Sequence, residues 1–205
     1  MLERMVTPLG VDPRPARHLA RRAAIVDEAW RLAADEGLSG VSMRALAARV
    51  GLRQPSLYAY FETKRDIYDA MYAEANDRLW TRLRALSLPR DTKRAVKVVG
   101  AEIVAFSCDN PVMAEVMFSR TVPGFEPSEA AYTVAVEWND WVREVVARAG
   151  ASTARLQDGF VVIVAGLISV QNANEPGGTR WRSHLGWMMD MYLREIDRQG
   201  GAERR

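Results

Sequence analysis

The chain has one cysteine, two histidines and a net charge of only +2 in 205 residues, and each scarcity excludes something. A single cysteine rules out an internal disulfide. Cys108 lies beside an apolar helix face rather than a basic one, the setting of a buried structural thiol and not of a redox sensor. His18 and His184 have no second histidine or cysteine at ligand spacing, so neither a metal nor a cofactor is expected. No nucleophile stands beside a base and no glycine-rich loop could cradle a phosphate, so the residues do not read as an enzyme. The longest strongly apolar run, Phe160 to Val170, is short for a bilayer, and the opening MLERMVTPLG lacks the apolar stretch of a signal peptide. A cytoplasmic protein with no membrane partner is the expectation. No internal repeat is present.

What is there is an ordinary helical composition, 48% hydrophobic and 26% charged, with length for one large or two small domains. The small net charge is unevenly placed. Residues 1–65 carry 11 Lys and Arg against 7 Asp and Glu, and the rest carries 17 against 19. A polyanion-binding footprint therefore has to be local and near the N-terminus.

Apolar periodicity predicts an all-α chain of about nine helices. Residues 1–15, with Pro8, Gly10, Pro13 and Pro15, read as a flexible arm, and Arg14, Arg17, Arg21 and Arg22 could follow a phosphate backbone from there. A merely solubilising tail explains the same composition. Ile25, Val26, Ala29, Leu32 and Ala33 mark a first helix over about Ala16 to Glu36, closed by Gly37. Thr63 and Asp66 form a capping-box pair at the head of a long helix to about Leu88, stopped by Pro89. Asp91 to Asp109 follows, then a short helix from Asn110-Pro111 to Phe118, and a loop over Thr121 to Ser128. Val134, Trp138, Trp141 and Val145 define a helix from Glu129 to Ala149. Ser152 or Thr153 caps the next, which ends near Ala173 and is apolar nearly all round. Trp181, Leu185, Met188 and Tyr192 give the last helix its stripe, and residues 200–205 form a tail. The last two helices carry more apolar face than a 23 kDa subunit easily covers. A dimer interface and an intramolecular core both account for that.

The stretch around which the chain is organised is Val41 to Lys64, VSMRALAARVGLRQPSLYAYFETK. Met43, Leu46, Ala47 and Val50 make an inward stripe on a helix that Ser42 can cap and Gly51 can end. A second helix starts near Pro55, anchored by Leu57 and Phe61. Its outward side holds Pro55 and Ala59 flanked by Ser56 and Tyr58, with Gln54 at its start. That side is small at the centre and hydrogen-bonding at the edges, the profile needed to lie deep in a major groove. Lys64 opposes the dipole of its own helix, a conflict that a nearby phosphate removes. Period alone fits an ordinary helical hairpin with solvated polar faces equally well.

The segment GLRQPSLYAYFETKRDIYDAM resembles the helix-turn-helix signature of the TetR family of transcriptional regulators. Gly51, Leu52, Leu57, Tyr58, Phe61 and Lys64 stand in register with it, and the likeness spans about the first third of the chain. The stretch AEVMFSRTVPGFEPS is similar, more weakly, to one subgroup of TetR-type ligand domains. The resemblance implies a three-helix DNA-binding domain over 16–63, a ligand-binding and dimerisation domain over 64–199, and a homodimer through the last two helices, about 153–173 and 179–198. It implies a regulator, by family habit a repressor, that binds a palindromic double-stranded DNA operator and is released by a small-molecule effector. Gln54 and Pro55 fall where family members touch bases, and Arg44 where one reaches a base from the preceding helix. Ser42, Ser56, Tyr58, Tyr60 and Lys64 fall mainly at phosphate positions, and Arg53 at either. Ala59 departs from the bulkier residue of relatives. Phe106, Met113, Met117, Trp138 and Trp141 are candidate walls of a ligand pocket, by apolar surface and position alone. The competing readings are a non-specific architectural DNA-binding protein and, less favoured, a helical enzyme.

Overall fold

The computed structural model describes residues 13–119 and 121–202, and among them every regular element is helical. The order is α1 (Pro13–Glu36), α2 (Met43–Arg49), α3 (Gln54–Leu57), α4 (Lys64–Arg84), α5 (Thr92–Asp109), α6 (Pro111–Phe118), α7 (Glu129–Arg148), α8 (Ala154–Asn174) and α9 (Leu185–Ala202), with single 3-10 turns at Leu38–Gly40 and Arg182–His184. The chain forms two compact units that meet in sequence at Lys64 and Arg65.

In the first unit α1 begins at Pro13, not near Ala16 as expected. Prolines in a first turn forfeit only amides that have no helical partner there, so Pro13 and Pro15 start the helix instead of delaying it. The proposed arm thus loses residues 13–15, and its residues 1–12 lie outside the described residues. Ile25, Val26, Ala29, Leu32 and Ala33 are all buried. Ser42 Oγ accepts the Ala45 amide at 3.2 Å and starts α2. Gly51, at φ +67, ends it: the Leu52 amide reaches Ala47 O (2.9 Å) and the Gly51 amide reaches Ala48 O (3.3 Å), the paired bonds of a Schellman motif.

The second unit is built around α5, which packs against α6, α7, α8 and α9. Gly100 permits the closest approach: a Cβ there would stand 3.3 Å from Met189 Cε and 3.4 Å from Phe160 Cε2. Helix α4 ends at Arg84, one turn before the predicted stop. The Ala85 amide is already shared between Thr81 O and Arg82 O, and Pro89 disfavours helical backbone before it. Asn110 does not cap α6 through its side chain; its Nδ2 turns back to Phe106 O at 2.8 Å and closes α5. The buried stripe of α7 is Ala131, Ala135, Val142, Val145 and Val146, rotated from the predicted one, and Trp138 and Trp141 are only half-buried. Small alanines let neighbours approach, whereas indoles project past the contact line.

Thr153 Oγ1 caps α8, accepting from Leu156 N at 3.3 Å. By length and composition α8 could cross a membrane, which the shorter Phe160–Val170 run did not suggest, but it packs between α5 and α9 within the unit. The last helix starts at Leu185 and not near 179. Fully buried Gln171 takes the amides of Trp181 (2.9 Å) and Arg182 (3.1 Å) on its Oε1, which satisfies them without a helix. Helix α9 then runs to Ala202, so the proposed tail is helical at 200–202, and 203–205 lie outside the described residues.

Candidate nucleic-acid interface and ligand cavity

The candidate reader α3 is a single turn set on two fully buried anchors, Leu57 and Phe61. Arg53 precedes it in extended conformation (φ −72, ψ 143), which turns the chain sharply into the helix, and proline occupies its first turn. The amides of Tyr60 and Phe61 both return to Leu57 O, at 2.9 and 3.1 Å, so the residues after Leu57 continue as tight turns. Arg53, Gln54, Pro55, Ser56 and Tyr58 are all exposed. Gln54 Nε2 donates to Tyr58 Oη at 3.4 Å, holding the amide out along the helix surface. Arg44 is exposed on α2, and Ser42, its Oγ already accepting the Ala45 amide, keeps its O–H to donate. Lys64 is half-buried at the head of α4.

Three basic residues and one tyrosine have structural tasks that the sequence did not reveal. Arg21 Nη2 donates to Val50 O at 2.7 Å, neutralising the C-terminal end of α2. Arg22 donates to Tyr60 O, and its guanidinium stacks 4.1 Å above the Phe61 ring. Both guanidinium groups are thus engaged within the first unit. Arg49 is held by Asp35 at 2.8 Å, Glu36 at 3.5 Å and Glu28 at 3.6 Å, and the Asp35 hydrogen bond foremost raises its pKa. Tyr60, expected at a phosphate, is half-buried with its ring stacked on His18 at 4.9 Å. That stacking is also the role of His18, whose Nε2 lies 3.4 Å from Ala59 O. Together α1's Arg21, Arg22 and His18 hold the turn that follows α2 and the turns that follow α3.

The second unit contains a cavity of about 330 Å³ walled by α4, α5, α6, α7 and α8. Of the five predicted wall residues it includes Met117 and Trp138. Phe106 is buried elsewhere, with the Arg82 guanidinium 5.6 Å from its ring; Met113 is buried; Trp141 meets Trp80 edge-on at 5.6 Å. Residues the sequence reading missed dominate the walls: Tyr72, Asn76, Tyr132, Asn139, Val142 and Phe160. Their signal was present in α7, where Ala135, Trp138, Asn139 and Val142 recur at helical spacing and place an amide within an apolar stripe. Asn76 was equally visible as a polar residue between Tyr72 and Leu79 on the buried face of α4. Its Oδ1 accepts the Trp138 indole N–H at 2.9 Å and its Nδ2 donates to Tyr72 O at 2.8 Å.

A second chamber of about 210 Å³ adjoins the first and shares Tyr72, Met117, Phe118 and Tyr132 with it. Tyr72 and Tyr132 stack at 6.4 Å across the boundary, and burial, then Tyr132, pushes the Tyr72 phenol pKa up. The α6–α7 loop closes this chamber with Val122, Phe125 and Pro127. Asp69 holds the loop by accepting from Ser128 N (2.6 Å) and Ser128 Oγ (2.7 Å), and Arg65 donates to Glu126 O at 3.0 Å.

A third feature is the uncovered apolar side of α8 and α9. Val162 is 69% exposed and Trp187 61%, beside a shallow groove that also involves Gly166, Val170 and Trp181. His184, exposed, stands at the edge of Trp181. Among the described residues no cluster of three or more His, Cys, Asp or Glu could hold a metal ion.

Comparison with known proteins gives this geometry a context. Residues 25–71 match the family described as bacterial regulatory proteins, tetR family. The chain is 41% identical over 71 residues to the tetracycline repressor protein class C of Escherichia coli, covering 35% of this chain and 31% of that protein. It is 30% identical over 90 residues to the nucleoid occlusion factor SlmA of Vibrio campbellii (strain ATCC BAA-1116), covering 43% of this chain and 46% of the relative. The matches therefore span a third to a half of those curated relatives. The fold extends further: a crystal structure of the TetR family transcriptional regulator PfmR from Thermus thermophilus superposes with a TM-score of 0.66 at 18% identity, over 84% of this chain and 95% of that one. The matched stretch holds the α2–α3 pair and its anchors and is similar to the tetR family of bacterial regulatory proteins, and the rest of the chain follows the same all-helical course as that structure.

Proposed function

We propose that the chain is a cytoplasmic, homodimeric transcriptional regulator, a repressor, that binds a palindromic DNA operator through α2 and α3 and releases it when a small molecule enters the cavity of the second unit. The observation that carries the reading is the exposed run Arg53–Ser56 and Tyr58 standing on the buried pair Leu57 and Phe61. A rigidly mounted face of small and hydrogen-bonding groups, without a bulky apolar residue at its centre, suits base edges better than a protein core. Gln54 can pair bidentately with adenine, Pro55 can meet a thymine methyl, and Arg44 can reach guanine. Ser42, Ser56, Tyr58 and Lys64 supply donors for phosphates, and Arg53 can serve either purpose.

Two such readers are needed to span a palindrome, and the uncovered face of α8 and α9 is the surface through which a second copy would bind. The effector acts by differential affinity: it shifts the dimer only insofar as it prefers the form that does not hold the operator.

The test is a mobility-shift titration of the full chain on duplex from upstream of its own coding sequence, with random duplex as competitor at physiological salt. A shift that survives a large excess of random duplex is expected. A shift abolished by equal amounts of random duplex would establish the architectural alternative instead.

A further inference from the structure

The charges bordering the larger chamber stand at its rim. Arg143 and Asp158 are exposed there, as are Tyr132 and Val161, whereas Ile103, Phe160, Asn76 and Val164 are buried deeper in the wall. We propose that this chamber selects an uncharged fused-ring aromatic molecule bearing one hydrogen-bonding group, and that Asn139 is the residue that reads the group. The inference rests on the proposed effector role of the second unit and specifies its ligand.

Aromatic walls favour an aromatic guest. Phe118 and Trp138 already meet edge to face at 6.3 Å and 90°, and Phe160, Tyr72 and Tyr132 add further rings, so a planar ring system finds edges and faces to pack against. The volume of about 330 Å³ lies at the small end of ligand sites, which suits a two-ring molecule.

Charge is excluded by what the inner wall lacks. A buried ion needs a paired counter-ion, and among the described residues the inner wall offers none. The rim presents one charge of each sign, so it favours neither an acid nor a base.

The hydrogen-bonding choice falls to Asn139 by elimination. Asn76 is committed, with its Oδ1 on the Trp138 indole N–H and its Nδ2 on Tyr72 O. Asn139 is half-buried on the same wall, one residue beyond Trp138, and its amide has no partner among the described residues. A guest that seals the chamber strips water from that amide, and a guest with a hydroxyl or carbonyl restores the bond.

The experiment is calorimetric titration of the full chain, without DNA, with four probes sharing one ring system: 2-naphthol, 2-naphthoate, 2-naphthylmethylamine and 2-methylnaphthalene. We expect 2-naphthol to bind at least about tenfold more tightly than either charged probe. Asn139→Leu should weaken 2-naphthol about fivefold or more and leave 2-methylnaphthalene unchanged, and Asn139→Asp should move the preference toward the amine. Failure of 2-naphthol to bind, a charged probe binding as tightly, or Asn139→Leu leaving 2-naphthol unaffected overturns the proposal. Thermal unfolding of each variant is compared with the parent, and the ranking of probes on the parent decides the matter if a variant misfolds. A chain that holds its operator but does not rank the probes this way loses this inference alone. A chain that ranks them so but ignores DNA loses the regulator reading alone.

Discussion

The indole N–H of Trp138 donates to the Oδ1 of Asn76 across 2.9 Å, joining α7 to a buried amide on α4. This bond holds the amide oxygen toward α7 and leaves Asn76 Nδ2 to the Tyr72 carbonyl. It ties the wall of the cavity to the packing of the second unit. Trp138→Phe would keep the ring but leave Asn76 Oδ1 buried without a donor. A loss of about 1–3 kcal/mol in denaturant-derived stability is expected, with the double variant Trp138→Phe, Asn76→Leu recovering part of it. An unchanged midpoint for the single variant would mean that water replaces the indole.

At the reader, base and phosphate contacts should separate by their salt dependence. Gln54→Ala is expected to weaken operator binding by about 1–3 kcal/mol and relax sequence preference at one position, with an unchanged salt slope. Lys64→Ala should weaken all duplexes alike and reduce the slope by about 1. Identical signatures from the two titrations would refute the division of roles.

Arg22 offers the complementary control. Its guanidinium is used within the unit, on Tyr60 O and over Phe61. Arg22→Ala should destabilise by about 1–2 kcal/mol through the lost bond and ring contact, and should leave the salt slope of DNA binding at the parent value. A slope reduced by about 1 would show instead that Arg22 reaches a phosphate.

The uncovered face of α8 and α9 gives a test of assembly. Val162→Asp or Trp187→Asp places a carboxylate in the middle of the patch, which would be buried without a partner in a dimer. Sedimentation velocity should show the parent as a dimer and each variant shifted toward monomer, with helical content retained. A variant that still sediments with the parent would place the interface elsewhere.

Tyr192 supplies a pH prediction. Its hydroxyl donates to Leu156 O at 2.7 Å, and burial pushes its pKa up to about 12. The folded state therefore disfavours the phenolate more than the unfolded state does. The stability this contributes is complete below the unfolded value of about 10 and is lost as pH rises toward about 12. Unfolding free energies measured across that window should fall for the parent and fall less steeply for Tyr192→Phe.

Much of the first unit was legible because its signals are local. Ser42, Gly51 and Pro55 act within one turn of where they stand, and the apolar stripe over Ile25 to Ala33 needs only a helix and a core. The same reading misplaced Pro13 and Pro15, whose tolerance depends on position within the first turn. It also counted Arg21 and Arg22 with an arm that could follow a phosphate backbone, and did not foresee their bonds within the unit. Nothing in their spacing reveals that Val50 O and Tyr60 O lie within reach, since those carbonyls are 29 and 38 residues away.

In the second unit the positions of the helices followed from periodicity, and the cavity did not. Five apolar residues were proposed as walls, and only Met117 and Trp138 line the larger chamber. Large apolar side chains mark a core and a pocket alike. Which face of α7 turns inward is settled by the small side chains of Ala131 and Ala135, which admit close neighbours.

By itself the sequence determined the helical character, the capped starts of α2 and α8, the glycine stop of α2 and the α2–α3 signature, because capping, glycine backbone freedom and period act over a few residues. The tertiary structure alone decided which arginines are bonded within the fold, which ring stacks on His18, and which amides border the cavity. Those outcomes depend on distances between segments far apart in the chain, and no local pattern encodes them.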